Sequence, residues 1–183
     1  LNLGKIMLEE EGFLPCTPAA VLFCMLYYGI ETQGKHIVIL GRSNVVGKPL
    51  ANILLWKRNF ANATVTVCHS KTNNLAEFTK EADILITAIG KAEFVTPEMV
   101  KENAIILDVG INEIKLANGE SNYVGDVNYK LCYDKALAIT PVPGGIGRIT
   151  TSVLFLNLVD ACLKSRNTNK SIDEYIHLIF DGK

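Results

Sequence analysis

The stretch HIVILGRSNVVGKPLA, residues 36–51, decides the fold. Its first five residues, His36 to Leu40, form a short apolar run rich in β-branched side chains, the pattern of a strand buried on both faces. Gly41 follows at once, and a helix-like stretch from Gly47 to Trp56 follows that, with Pro49 tolerable only near its start. A tight glycine turn between a buried strand and a helix aims backbone N–H groups at whatever anion sits there. The spacing is G-x-S-x-x-x-G, with Ser43 where a dinucleotide fingerprint carries its second glycine. Glycine count alone therefore leaves a ligand-free strand–turn–helix open.

Outward from that turn, apolar runs alternate with helical patterns, which is the signature of βαβ units and a parallel sheet. Strands are expected at Thr64–Cys68, Asp83–Ala88, Ala104–Val109 and Leu137–Thr140. Helices are expected at Asn74–Glu81, capped by Asn73 or Asn74, and over a short turn at Thr96–Val100 with Pro97 in it. Thr17-Pro18 reads as a cap and first helical position, and Gly29 closes that helix. Thr150–Leu163 is apolar nearly all round and is expected to be buried on more than one side. Residues 164–170 read as a polar linker, and Ser171–Phe180 as an amphipathic helix. The fold class is thus α/β, a Rossmann-like doubly wound parallel sheet with flanking helices.

The end of the second strand bears on the ligand. NAD-binding sheets carry an acid there for the ribose hydroxyls; this chain has His69-Ser70-Lys71-Thr72 and none. Arg42, Ser70 and Lys71 suit a 2′-phosphate, which a carboxylate would repel, so they favour NADP over NAD. The plain alternative is that Arg42 and Lys71 are solvated surface charges.

Composition narrows the classes. The 183 residues are 49% hydrophobic and 20% charged, with a net charge of −1, so no global field serves nucleic acid or a membrane surface. The apolar stretch Ala19–Tyr28 is too short to cross a bilayer. Five scattered cysteines, with no C-x-x-C pair, argue against a disulfide framework or structural zinc and fit a cytoplasmic setting. Three distant histidines give no support to a metal site. The chain opens on Leu1 rather than Met and reads as a piece of something longer.

The segments PCTP (15–18), GRSNVVGKPLA (41–51), ATVTVCHSKT (63–72), ADILITAIG (82–90), DVGIN (108–112), VGDV (124–127) and TPVPGGIGRIT (140–150) occur in one order. Over roughly residues 1–163 the chain resembles the C-terminal half of the bifunctional methylenetetrahydrofolate dehydrogenase / methenyltetrahydrofolate cyclohydrolase family. The resemblance implies NADP-dependent oxidation of 5,10-methylenetetrahydrofolate, hydrolysis of the methenyl product to 10-formyltetrahydrofolate, a homodimer, and a folate cleft between two domains. It implies that Gly41, Arg42 and Ser43 touch the cofactor phosphates, and that His69 and Ser70 lie near the 2′-phosphate. Ala88, Gly90 and Ile111 would line the cofactor path, and Pro143, Gly144, Gly145 and Thr150 the junction of folate and nicotinamide.

By the same resemblance the family's catalytic Tyr and Lys belong to an N-terminal folate domain absent here, so no catalytic residue is assigned in this chain. Residues 1–30 would be an interdomain segment and bridging helix, 31–149 the NADP-binding domain, 150–165 a second bridging helix and 166–183 a linker and tail. Arg148-Ile149 replaces the family's Pro-Met; the arginine either pairs with the folate glutamate or faces water. A non-catalytic NADP-binding module or degenerate paralogue is the alternative. Asp108 and Asp126 could form an acid–base pair, but Gly125 marks a turn in which Asp126 would bind loop N–H groups.

Overall fold

A computed structural model describes residues 2–116 and 118–166. Five parallel strands form the central sheet: β1 (His36–Leu40), β2 (Thr64–Cys68), β3 (Ile84–Thr87), β4 (Ile105–Asp108) and, after a hairpin, β7 (Ala138–Ile139). Their order is β2-β1-β3-β4-β7, with Leu40 level with Cys68 on one side and Thr87 on the other. The order reverses between β1 and β3, so the crevice at their carboxyl ends is the topological switch point where such sheets take ligands.

Alternation within the strands explains the layers. Ile37, Ile39, Ile84, Ile86 and Leu107 join one core, with helices α2 (Cys16–Tyr27), α3 (Gly47–Leu54) and α6 (Ile146–Ser165). Val38, Leu40, Leu85 and Ile106 turn to the other face, among Leu75 of α4 (Leu75–Thr79) and Cys132 of α5 (Tyr129–Cys132). The short helix α1 (Asn2–Met7) docks through Ile6, whose carbonyl accepts the Trp56 indole N–H at 2.7 Å. A two-stranded antiparallel hairpin, β5 (Asn112–Lys115) and β6 (Ser121–Val124), stands apart from the sheet.

Several elements depart from the sequence expectation. Helix α2 begins at Cys16, and the residue before it, Pro15, offers no side-chain cap, so Thr17 is inside the helix. Its end is as read: Gly29 at φ 62° donates to Leu26 and Ile30 N to Met25, the paired bonds of a Schellman motif. Asn74 precedes α4 in the left-handed region without a capping bond. Pro97–Met99 is a single 3₁₀ turn. Helix α6 starts at Ile146, four residues early, and buries one stripe, Ile146, Val153 and Asp160. Leu154, Phe155, Leu158 and Val159 are more than half exposed. An all-round apolar sequence fills the stripe that meets α2, while the other side is left exposed among the described residues. By length and composition alone this helix is also long and apolar enough to cross a membrane. The expected Ser171–Phe180 helix and most of the 164–170 linker lie outside the described residues.

At the amino edge of the sheet, Asp83 accepts from Lys101 Nζ at 2.7 Å and from His36 N at 2.9 Å. The lysine, then the His36 amide, hold its carboxyl below the usual aspartate value. A depressed pKa contributes stability above the unfolded value that is lost as pH falls through the folded one. Urea titrations of Asp83→Asn should therefore show a lowered midpoint at neutral pH, closing on the wild type as the solution is acidified. A gap that persists in acid would assign the loss to something other than this ion pair.

Candidate functional site

Every residue proposed from the sequence lies beyond a carboxyl strand end. Gly41, Arg42 and Ser43 follow β1; His69 and Ser70 follow β2; Ala88 and Gly90 follow β3; Ile111 follows β4. Pro143, Gly144 and Gly145 occupy the loop between β7 and α6, and Thr150 lies in the second turn of α6.

The β1 turn is built tightly. Gly41 N donates to Cys68 O at 2.8 Å and Ala88 N to Leu40 O at 2.7 Å, so the three chains leave the sheet side by side. Gly41 has φ 130°, and a Cβ there would fall on the Ala88 carbonyl. A Cβ on Gly47 would fall on the Gly41 carbonyl and lie 3.0 Å from Arg42 Cα. The two glycines of G-x-S-x-x-x-G are therefore needed for chain packing. Ser43 Oγ accepts from Val46 N at 3.0 Å, which ties the turn. Arg42 and Ser70 are exposed, each two residues past the level pair Leu40 and Cys68. His69 Nδ1 accepts from Lys71 N at 3.2 Å and His69 N donates to Thr72 Oγ1 at 3.0 Å, which fixes the second turn.

Two carboxylates organise the other side of the crevice. Buried Asp108, at the end of β4, accepts from Thr87 Oγ1 (2.9 Å), Gly110 N (2.9 Å), Asp126 N (3.1 Å) and Val127 N (2.9 Å). Its own amide donates to Thr140 Oγ1 at 2.8 Å, so β3, β4 and the β7 loop are tied in one row. Burial pushes its carboxyl above the usual value, against the pull of the Val127 and Asp126 amides. Asp126, wholly buried, accepts from Ile89 N (2.7 Å), Gly90 N (3.0 Å), Lys91 N (2.9 Å) and Asn112 Nδ2 (2.9 Å). The turn reading of Asp126 from the sequence is what the geometry shows. With their lone pairs taken by structural donors, neither carboxylate is placed to act as an acid or base.

Open backbone completes the edge. A Cβ on Gly90, Gly144 or Gly147 would meet nothing within 4 Å. Gly145 is different, since a Cβ there would press on Pro141 O at 2.5 Å. Thr150 Oγ1 bonds back to Ile146 O at 3.0 Å. The Val142–Pro143 peptide is cis. At exposed positions of these loops and helix starts Arg42, Lys48, Lys71, Lys91 and Arg148 outnumber the acids Glu77 and Glu93, while Asp108 and Asp126 are buried, so the exposed rim is cationic in a chain of net charge −1. Burial pushes the Cys68 thiol beneath this edge upward, in keeping with a packing role. Among the described residues no cluster of three His, Cys, Asp or Glu side chains is placed to hold a metal ion. A cavity of about 690 Å³, lined by Tyr28, Ile105, Leu107, Tyr129, Tyr133 and Ile139 among others, lies on the β4–β7 flank instead.

Residues 15–166 match the family model described as tetrahydrofolate dehydrogenase/cyclohydrolase, NAD(P)-binding domain. The chain is 51% identical over 160 residues to the bifunctional protein FolD of Chloroherpeton thalassium, covering 85% of this chain and 54% of that protein. Among solved structures, the FolD methylenetetrahydrofolate dehydrogenase/cyclohydrolase of Campylobacter jejuni is 44% identical with a TM-score of 0.79, over 89% of this chain and 55% of that one. The Trypanosoma brucei enzyme, complexed with NADP cofactor and an inhibitor, is 35% identical with a TM-score of 0.82, over 91% and 57%. The chain spans about half the length of the curated relatives it matches.

The carboxylate row leaves no room at two glycines. A Cβ on Gly110 would fall on the Asp126 carboxylate, and one on Gly125 on the Asp108 carboxylate. Alanine at either position should lower unfolding free energy by about 1–3 kcal/mol through overpacking. Gly147→Ala, helical and in open space, should instead be neutral or stabilising by up to about 1 kcal/mol. Denaturant titration of the three variants reads the contrast, and equal effects would contradict it.

Proposed function

Because this chain belongs to the tetrahydrofolate dehydrogenase/cyclohydrolase family and carries its NAD(P)-binding domain, we propose that it binds NADP along the carboxyl edge of its sheet. The enzyme it serves oxidises 5,10-methylenetetrahydrofolate and hydrolyses the methenyl product to 10-formyltetrahydrofolate. The observation that carries this reading is the convergence, along one carboxyl edge of the sheet, of a glycine turn, a cationic rim and exposed glycine backbone. Those features suit an extended, multiply anionic ligand with flat rings.

Each group has a part in the proposal. Gly41 to Ser43, followed by α3, take the pyrophosphate. Arg42, with Ser70 and Lys71, takes the 2′-phosphate, where an acid would repel it. His69 shapes the second turn beside them. Ala88, Gly90 and Ile111 flank the path of the remaining half, and Pro143, Gly144, Gly145 and Thr150 border the place where folate meets nicotinamide. Hydride acceptance is the chemistry the cofactor supplies when bound. The chain's own contribution is binding and orientation, because reaction between two rings depends first on their near-contact placement.

General acid–base chemistry is not assigned to these residues. By family resemblance it belongs to a Tyr and a Lys of an N-terminal folate domain, so these 183 residues alone are proposed to be inactive. The exposed Leu154, Phe155, Leu158 and Val159 stripe of α6 suits contact with that domain. Homodimerisation and a cytoplasmic, reducing setting, consistent with five free thiols, belong to the same proposal.

Calorimetric titration tests the reading. NADP should bind in preference to NAD, and Arg42→Ala with Ser70→Asp should weaken NADP by about 1.5–3 kcal/mol more than it weakens NAD. Equal losses for both cofactors would remove the 2′-phosphate assignment.

A further inference from the structure

Three consecutive amides, of Ile89, Gly90 and Lys91, point inward at one buried carboxylate, that of Asp126. Successive N–H groups of this kind form a concavity that ordinarily receives an anion from outside. Here the protein's own carboxylate fills it, so those donors are spent and the loop has none of them to offer a phosphate. The turn at Gly41 to Gly47 is different: it leads into a helix with no acid in its first turn and stands among Arg42, Lys48 and Lys71.

The same carboxylate holds a second element. Asn112 Nδ2 donates to Asp126 Oδ1 at 2.9 Å and lies at 3.5 Å from Val124 O, which pins the start of the β5–β6 hairpin. A lone two-stranded hairpin is marginal in water, so its placement depends on such ties. Ile111, 68% exposed, is the residue immediately before it. Asp126 thus sets the mutual position of the loop after β3 and of Ile111 after β4, both on the far side of the switch point from the β2 turn.

Resting on the NADP reading above, we propose that Asp126 is a positioning residue for the nicotinamide–ribose end of the cofactor. It acts through the Ile89–Lys91 backbone and Asn112, and takes no part in holding the adenosine phosphates. The loop it braces presents backbone to the nicotinamide ring, and the phosphates are left to the opposite strands.

The ligands that separate the halves are NADP and adenosine 2′,5′-bisphosphate, titrated calorimetrically into the wild-type chain, Asp126→Asn and Asn112→Ala. Loss of one charge-assisted contact set predicts that Asp126→Asn weakens NADP by about tenfold or more and leaves the bisphosphate within about twofold. Asn112→Ala removes a single surface-side donor, and it decides the matter if Asp126→Asn does not fold. It should weaken NADP several-fold with the bisphosphate unchanged. Parallel losses for both ligands, or no loss for either, would overturn the proposal and leave the NADP reading standing. A wild-type chain that binds the bisphosphate but not NADP, or neither, would overturn the reading and the proposal together.

Discussion

The carboxyl edge of this domain depends on two buried carboxylates set against two glycines. Asp108 occupies the space a side chain at Gly125 would need, and Asp126 the space one at Gly110 would need. Each carboxylate spends its lone pairs on donors from other segments: Thr87 and the 126–127 amides for one, the 89–91 amides and Asn112 for the other. Burial alone would make two neighbouring acids expensive, and it does push Asp108 upward. The donors offset that cost, so loops that would otherwise be free in solution are held as one surface.

That surface divides along the switch point of the sheet. On the β1 and β2 side, glycines allow close chain packing while Arg42 and Lys71 stay exposed, which favours phosphate. On the β3 and β4 side, the amides of the first loop are turned inward onto Asp126 and are not offered to a phosphate. A parallel sheet thereby presents two chemically distinct halves from strand ends that are otherwise alike. Membership of an NAD(P)-binding domain family, whose ligand carries its phosphates away from the nicotinamide ring, fits this division.

Much of this was legible from residue order. HIVIL, TVTVC and ILIT announce parallel strands because β-branched runs of that length suit burial on both faces, and Gly29 announced a helix end correctly. Gly125 before Asp126 announced a turn carboxylate. The β5–β6 hairpin escaped because Asn112–Lys115 and Ser121–Val124 are polar and short, so they carry little periodicity. Its signal was Asn118-Gly119, with Gly119 at φ 83°, a dipeptide favoured in hairpin turns. Helix α6 misled in the opposite direction. Apolar residues on every face suggested burial all round, although composition cannot distinguish a fully buried helix from one whose second face is left exposed by the described residues. The pairing of Asp108 with Gly125, and of Asp126 with Gly110, was beyond reach, since each joins segments whose spatial relation only the fold supplies.

Amide hydrogen exchange tests the central claim, that the two carboxylates hold the loops in place before any ligand arrives. In the free chain, the amides of Ile89, Gly90, Lys91, Gly110, Asp126 and Val127 should exchange far more slowly than exposed loop amides such as Asn44. That protection should be lost for residues 89–91 in Asp126→Asn. If those amides exchange as fast as an open loop in the wild type, the carboxylate row is not what orders this edge, and the division of the site built on it falls.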